Sequence, residues 1–126
     1  RYEVTGRLRD LVNCHCAMCH RLHGAFGAHS KAPKADIQIT NDAGLAWYAT
    51  SARARRGFCR DCGSNLFWEP HDQDATGIVA GSLDQPTGLK TMGHIFVGEK
   101  ADFDAITDGL PAFEGSSDGG LPDDHL

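Results

Sequence analysis

Cys14-His15-Cys16-Ala17-Met18-Cys19 places three of the chain's five cysteines within six residues. Packing alone gives no reason for that density. If Leu11 to Cys16 is extended, Cys14 and Cys16 face one side and His15 the other, because strand side chains repeat every two residues. A turn through Ala17 and Met18 then returns Cys19 to the side of Cys16, the geometry of a two-residue zinc knuckle. Three thiolates leave a fourth coordination position open. Closed four-ligand sites are structural, whereas three protein ligands plus an exchangeable one permit chemistry at the metal.

The remaining cysteines, Cys59 and Cys62, form a distant Cys-X2-Cys pair. An odd total does not suit a complete set of intrachain disulfides, and clustered rather than spread cysteines favour thiolate metal ligation in a reducing compartment. A cytoplasmic location is the corresponding expectation. A chain of 126 residues with formal charge -5 fits one domain. Its acidity argues against nucleic acid, whose phosphates are bound by clustered Lys and Arg. No apolar run approaches the roughly 20 residues that cross a bilayer, so no membrane partner is expected. Oligomeric state is not legible.

Outward from the cysteine cluster the pattern is of short strands and frequent turns. Tyr2–Thr5 alternates and ends at Gly6; Leu8–Cys16 reads as the strand delivering the cluster. Ala17–His23 reads as a short helical turn closed by Gly24. Ala25–Ser30 leads to a corner at Pro33. Ile37–Thr40 and Leu45–Thr50, separated by Asn41-Asp42-Ala43-Gly44, are expected to pair as a hairpin. Arg53–Phe58 feeds the second cysteine pair, where Gly63 supplies the backbone freedom of a tight knuckle. Asn65–Glu69, Gly77–Ala80 and Thr91–Val97 complete a mainly β domain of short antiparallel strands over residues 1–106. Residues 107–126, rich in Gly, Asp, Ser and Pro, read as a surface-wrapping or flexible tail.

Four stretches resemble the glutathione-dependent formaldehyde-activating enzymes and the related centromere protein V-like proteins. They are Cys14-His15-Cys16-Ala17-Met18-Cys19; Gly44-Leu45-Ala46-Trp47-Tyr48; Arg55-Arg56-Gly57-Phe58-Cys59-Arg60-Asp61-Cys62-Gly63-Ser64-Asn65-Leu66-Phe67; and His94-Ile95-Phe96-Val97 with Asp108-Gly109-Leu110-Pro111 beyond it. The resemblance implies an Mss4-like zinc-containing fold. It also implies a catalytic Zn2+ on Cys14, Cys16 and Cys19, and half of a structural zinc site at Cys59 and Cys62. The Cys-X-Cys that completes the structural site in that family is absent, and Arg1-Tyr2-Glu3-Val4-Thr5-Gly6 resembles the segment directly C-terminal to that motif in the family. The expectation is therefore a Cys-X-Cys upstream of Arg1 and two zinc sites if it is present.

The implied reaction is a zinc-dependent carbon-sulfur lyase reaction on a thiol-aldehyde adduct, forming or cleaving S-(hydroxymethyl)glutathione from glutathione and formaldehyde. Zinc would activate the thiol as thiolate or polarise the carbonyl oxygen. The competing class is a noncatalytic zinc module for protein contacts. Arg53, Arg55, Arg56 and Arg21 suit the carboxylates of glutathione, though exposed charge pairs account for each of them individually. His15, His20 and His23 flank the triplet; completion of a metal shell or proton transfer is the functional reading, and exposed or hydrogen-bonded structural roles are the plainer one. A helical turn would set His20 and His23 on one face. His94 reads equally as a residue behind the metal ligands or as a core hydrogen bond, and His71 and His125 fall in loop-like sequence. The aromatics Trp47, Tyr48, Phe58, Phe67, Trp68 and Phe96 suit an apolar sheet face, with Trp68 or Phe26 as alternative walls of a small-molecule pocket.

Overall fold

The computed structural model describes residues 1–122; His125 lies outside them. Among the described residues, nine strands are arranged in two sheets. β1 (Tyr2–Val4) and β4 (Ile37–Ile39) form an antiparallel pair, Tyr2 opposite Ile39. The other seven are β2 (Leu11–Cys14), β3 (Gly27–Pro33), β5 (Leu45–Ala49), β6 (Ala54–Cys59), β7 (Asn65–Pro70), β8 (Ala75–Val79) and β9 (Thr91–Ile95). Their order is β5-β6-β7-β8-β3-β2-β9. The described residues hold a single α-helix, α1 (Ala17–His23), after β2, and three short 3-10 turns at Lys34–Asp36, Ala80–Ser82 and Val97–Glu99.

The mainly β class is as the strand pattern indicates, with two corrections to the pairing. The expected hairpin between Ile37–Thr40 and Leu45–Thr50 does not form: β4 pairs with β1, and β5 pairs with β6, Trp47 opposite Gly57. The intervening turn is closed locally. Ala43 N–H donates to Asn41 Oδ1 at 3.0 Å and Leu45 N–H to the Asp42 carbonyl at 3.0 Å. Thr40 and Asn41 meanwhile donate to the Arg1 carbonyl at 2.9 and 3.2 Å, which carries β4 onto β1. The second correction concerns direction. β2 and β9 run parallel, since most of the chain separates them and no short turn dictates reversal.

The core lies where the two sheets meet. Ala32, Phe67 and Ile78 are buried at its centre, and Tyr2, Val4, Ile37, Trp47 and Leu66 pack against them. Tyr2 meets Phe67 edge-on at 4.8 Å between ring centroids, and its hydroxyl reaches Ser82 Oγ at 2.6 Å, so the buried phenol keeps a polar partner. Residues 111–115 lie along β9 and the turn that follows it. Ala112 bridges His94, Phe113 N–H donates to the His94 carbonyl at 3.0 Å, and Leu121 is buried over Gly93.

Candidate metal and substrate site

β2 ends at Cys14, but the backbone stays extended through Cys16, with φ -60° and ψ 159°, before α1 begins. Cys16 is the helix cap: its Sγ accepts the Cys19 N–H at 3.4 Å, while Glu99 Oε1 accepts the Ala17 N–H at 3.2 Å. One helical turn then swings Cys19 back. The sulfurs of Cys14, Cys16 and Cys19 all lie within 4.8 Å of one another, and all three thiols are free. His15 faces away, as strand alternation requires, and is fully buried on the opposite side.

The three thiols share protons unequally. Hydrogen bonds from Cys14 and Cys19, together with the nearby Arg56 guanidinium, push the Cys16 thiol well below its ordinary range. Cys14 is pushed up by its bonds to Cys16 and Cys19 and by burial. For Cys19, a hydrogen bond with Cys14 acts downward, but the bond to Cys16 and burial outweigh it and the net shift is upward. In the metal-free reduced protein at pH 6, limiting iodoacetamide is therefore expected to alkylate Cys16 at least about tenfold faster than Cys14 or Cys19. Peptide mapping reads the ratio, with exposed Cys62, lowered by its hydrogen bonds with Ser64, as the second labelled position. Equal labelling across the triplet would contradict this order.

The triplet opens into a cavity of about 390 Å³ lined also by Arg9, His29, Lys31, Arg53, Arg56, Trp68 and Phe96. Arg56 is decisive there. One of its guanidinium nitrogens reaches Cys19 Sγ at 3.5 Å, and its Nε is buried without a hydrogen-bond partner. Arg55, one residue along β6, points to the other face, where it pairs with Glu69 at 2.8 Å and lies 3.8 Å from the centroid of the Trp47 ring. The plain charge-pair reading holds for Arg55 and fails for Arg56. Trp68 lines the cavity wall; Phe26 instead packs 5.1 Å from the His15 ring. His29 is pushed down to about 4, chiefly by burial and then by His23, Arg56 and Arg9, so it is neutral at pH 7.

Behind the triplet, sequence reasoning missed a chain of four side chains, of which His15, His94 and Asp104 are buried and Asp108 is exposed. His15 Nδ1 meets Asp104 Oδ2 at 2.5 Å, His15 Nε2 meets His94 Nδ1 at 2.9 Å, and His94 Nε2 meets Asp108 Oδ2 at 2.8 Å. Of the two readings of His94, this structure has the hydrogen-bonded one, on the side of β2 opposite the sulfurs. Strand alternation across Cys14-His15-Cys16 was the available signal for His15; nothing local in the sequence marked Asp104.

Cys59 and Cys62 lie elsewhere. They flank a knuckle in which Gly63, at φ +79°, donates its N–H to the Cys59 carbonyl at 2.6 Å. Together with Arg1, Asp61 and Leu66 they line a larger cavity of about 780 Å³ that does not include the triplet. Among the described residues, Cys59 and Cys62 belong to no group of three or more clustered metal-ligating side chains.

A family model described as glutathione-dependent formaldehyde-activating enzyme matches residues 1–99. The chain belongs to that family. The matched span contains all five cysteines together with Arg56 and His94, and stops before Asp104 and Asp108. No curated protein matches the chain. A crystal structure of a Rhodobacter sphaeroides protein from a structural genomics programme aligns with a TM-score of 0.55 and 20% identity, covering 89% of each chain. That likeness is one of fold. Membership of the formaldehyde-activating family gives the protein a setting of glutathione and formaldehyde chemistry. None of the described helices is long and apolar enough to cross a membrane.

Proposed function

We propose that this protein is a zinc-dependent carbon-sulfur lyase that forms or cleaves S-(hydroxymethyl)glutathione, with Cys14, Cys16 and Cys19 as the catalytic metal ligands. The observation that carries this reading is the opening of the thiol triplet into a cavity walled by Arg9, Lys31, Arg53 and Arg56 in an otherwise acidic protein. Its volume of about 390 Å³ is in the range of small-molecule sites.

The three thiols fit zinc. Sulfurs at about 2.3 Å from a tetrahedral ion stand about 3.8 Å apart, compatible with a cluster contained within 4.8 Å. Bound there, Zn2+ would keep a thiol ionised at neutral pH, a substrate thiol included. The chain's own residues account for the rest. Arg56, Arg53 and Lys31 offer cationic partners for the two carboxylates of glutathione, and Trp68 and Phe96 cover the cavity with apolar surface that limits water. In the forming direction the thiolate sulfur bonds to the formaldehyde carbon, and the former carbonyl oxygen takes up a proton to become hydroxyl. Cleavage is the reverse. Cys59 and Cys62 supply, in this reading, two ligands of a separate structural zinc site.

Exchange spectroscopy on the glutathione-formaldehyde adduct tests the assignment. Zinc-replete protein is expected to raise the exchange rate at least about tenfold over the spontaneous reaction. A rate equal to the protein-free control would reject it. The alternative of a noncatalytic zinc module is the weaker reading, because such a module has no use for an open cavity with cationic walls beside the metal ligands.

A further inference from the structure

Cys19 belongs to a second cluster. Its Sγ and one nitrogen each of His23 and His29 all lie within 4.8 Å of one another. Residues 19 and 23 are four apart on α1 and so share a helix face. His29 comes from β3, where its Nδ1 lies 3.0 Å from the Gly27 carbonyl. A carbonyl can only accept, so that nitrogen carries the ring proton and Nε2 keeps its lone pair. The Nε2 atoms of His23 and His29 are both buried and neither has a hydrogen-bond partner. Two orphaned imidazole nitrogens beside a thiol are costly unless something fills the space between them. A carbonyl that fixes the tautomer of a ring is also the support that metal-binding histidines generally have.

The backbone makes room for this arrangement. A Cβ at Gly27 would fall 2.4 Å from His29 Cε1 and 2.9 Å from His23 Cδ2, so no side chain fits beneath the two rings. The rings meet edge-to-face with centroids 5.6 Å apart.

We propose that Cys19, His23 and His29 form a second metal seat for a zinc-like divalent ion, sharing the Cys19 sulfur with the Cys14/Cys16/Cys19 seat. One thiolate and two imidazoles are a borderline-soft donor set of the kind zinc and cobalt(II) take, leaving a fourth position for solvent or ligand. Arg56 competes for the same sulfur. The second seat offers one thiolate where the first offers three, and therefore fills after it. It does not depend on the lyase assignment: the seat exists whether or not the adduct is a substrate.

Cobalt(II) is the probe, added anaerobically to the reduced full chain. The wild type is expected to take up one more Co2+ than the His23→Gln/His29→Gln variant. Its proton spectrum is expected to gain a hyperfine-shifted, slowly exchanging N–H resonance from His29 Nδ1. Cys14→Ser/Cys16→Ser, which removes the first seat, keeps that resonance. Equal Co2+ uptake by a folded histidine variant overturns the proposal. If the variant does not fold, absence of any shifted imidazole N–H in the cobalt-saturated wild type overturns it as well. Neither readout involves glutathione or formaldehyde, so a failure here is separable from failure of the lyase reading.

Discussion

Replacing Cys16 with serine is expected to lower protein-dependent exchange of the glutathione-formaldehyde adduct by at least about 100-fold, about 2.7 kcal/mol of transition-state stabilisation. The substitution removes one of only three sulfurs in the triplet and puts in its place a hydroxyl that is a poor ligand for zinc. The helix cap survives, because a serine hydroxyl can accept the Cys19 N–H that Cys16 Sγ accepts at 3.4 Å, so the loss is specific to the sulfur. Metal content should fall in parallel, measured by elemental analysis on the same preparation. Arg55→Gln is the control, since Arg55 pairs with Glu69 on the other face of β6 and should leave the rate within about twofold. A Cys16→Ser protein that keeps its acceleration would separate the triplet from the reaction.

What the sequence made legible was local. The strand, turn and helix around the cysteines arise from alternation at Cys14 and Cys16 and from the stop at Gly24, whose N–H donates to the His20 carbonyl at 2.9 Å. The Gly63 knuckle was equally readable, because its left-handed backbone is a short-range requirement. Pairing was less so. Asn41-Asp42-Ala43-Gly44 is a turn, but a turn does not choose between a hairpin and two separate partners, and β4 found its partner in the first residues of the chain. Arg55 and Arg56 make the same point at the site. Adjacent strand residues face opposite ways, so one arginine had to leave the cavity, and composition could not say which. Asp104 was invisible for a different reason, since its partner His15 stands 89 residues away, and Asp108, though part of a family-like stretch, gave no sign of its pairing with His94, 14 residues away.

The largest expected stability effect lies in the buried part of that chain, His15, His94 and Asp104. Both nitrogens of both rings are engaged: His15 Nδ1 with Asp104 Oδ2, His15 Nε2 with His94 Nδ1 at 2.9 Å, and His94 Nε2 with Asp108 Oδ2 at 2.8 Å. Lys100 Nζ adds a bond to the Asp104 carbonyl at 3.0 Å. His15→Ala deletes the central member, leaves the carboxylate of Asp104 and Nδ1 of His94 without partners, and opens a void beside Phe26. Breaking a buried pair from one side costs on the order of 3–5 kcal/mol, a large share of the roughly 5–15 kcal/mol that holds a domain together. Urea unfolding should register that loss, and a double-mutant cycle of His15→Ala with Asp104→Asn should give a coupling of at least about 2 kcal/mol. A loss under about 1 kcal/mol would mean the four groups are no tighter than a surface pair. Because Asp108 and the strand-like contacts of Pro111 and Phe113 anchor to His94, the same substitution should expose residues beyond 107 to early proteolysis. The sulfur-bearing corner, held from behind by His15, would then loosen in concert with the segment packed along β9.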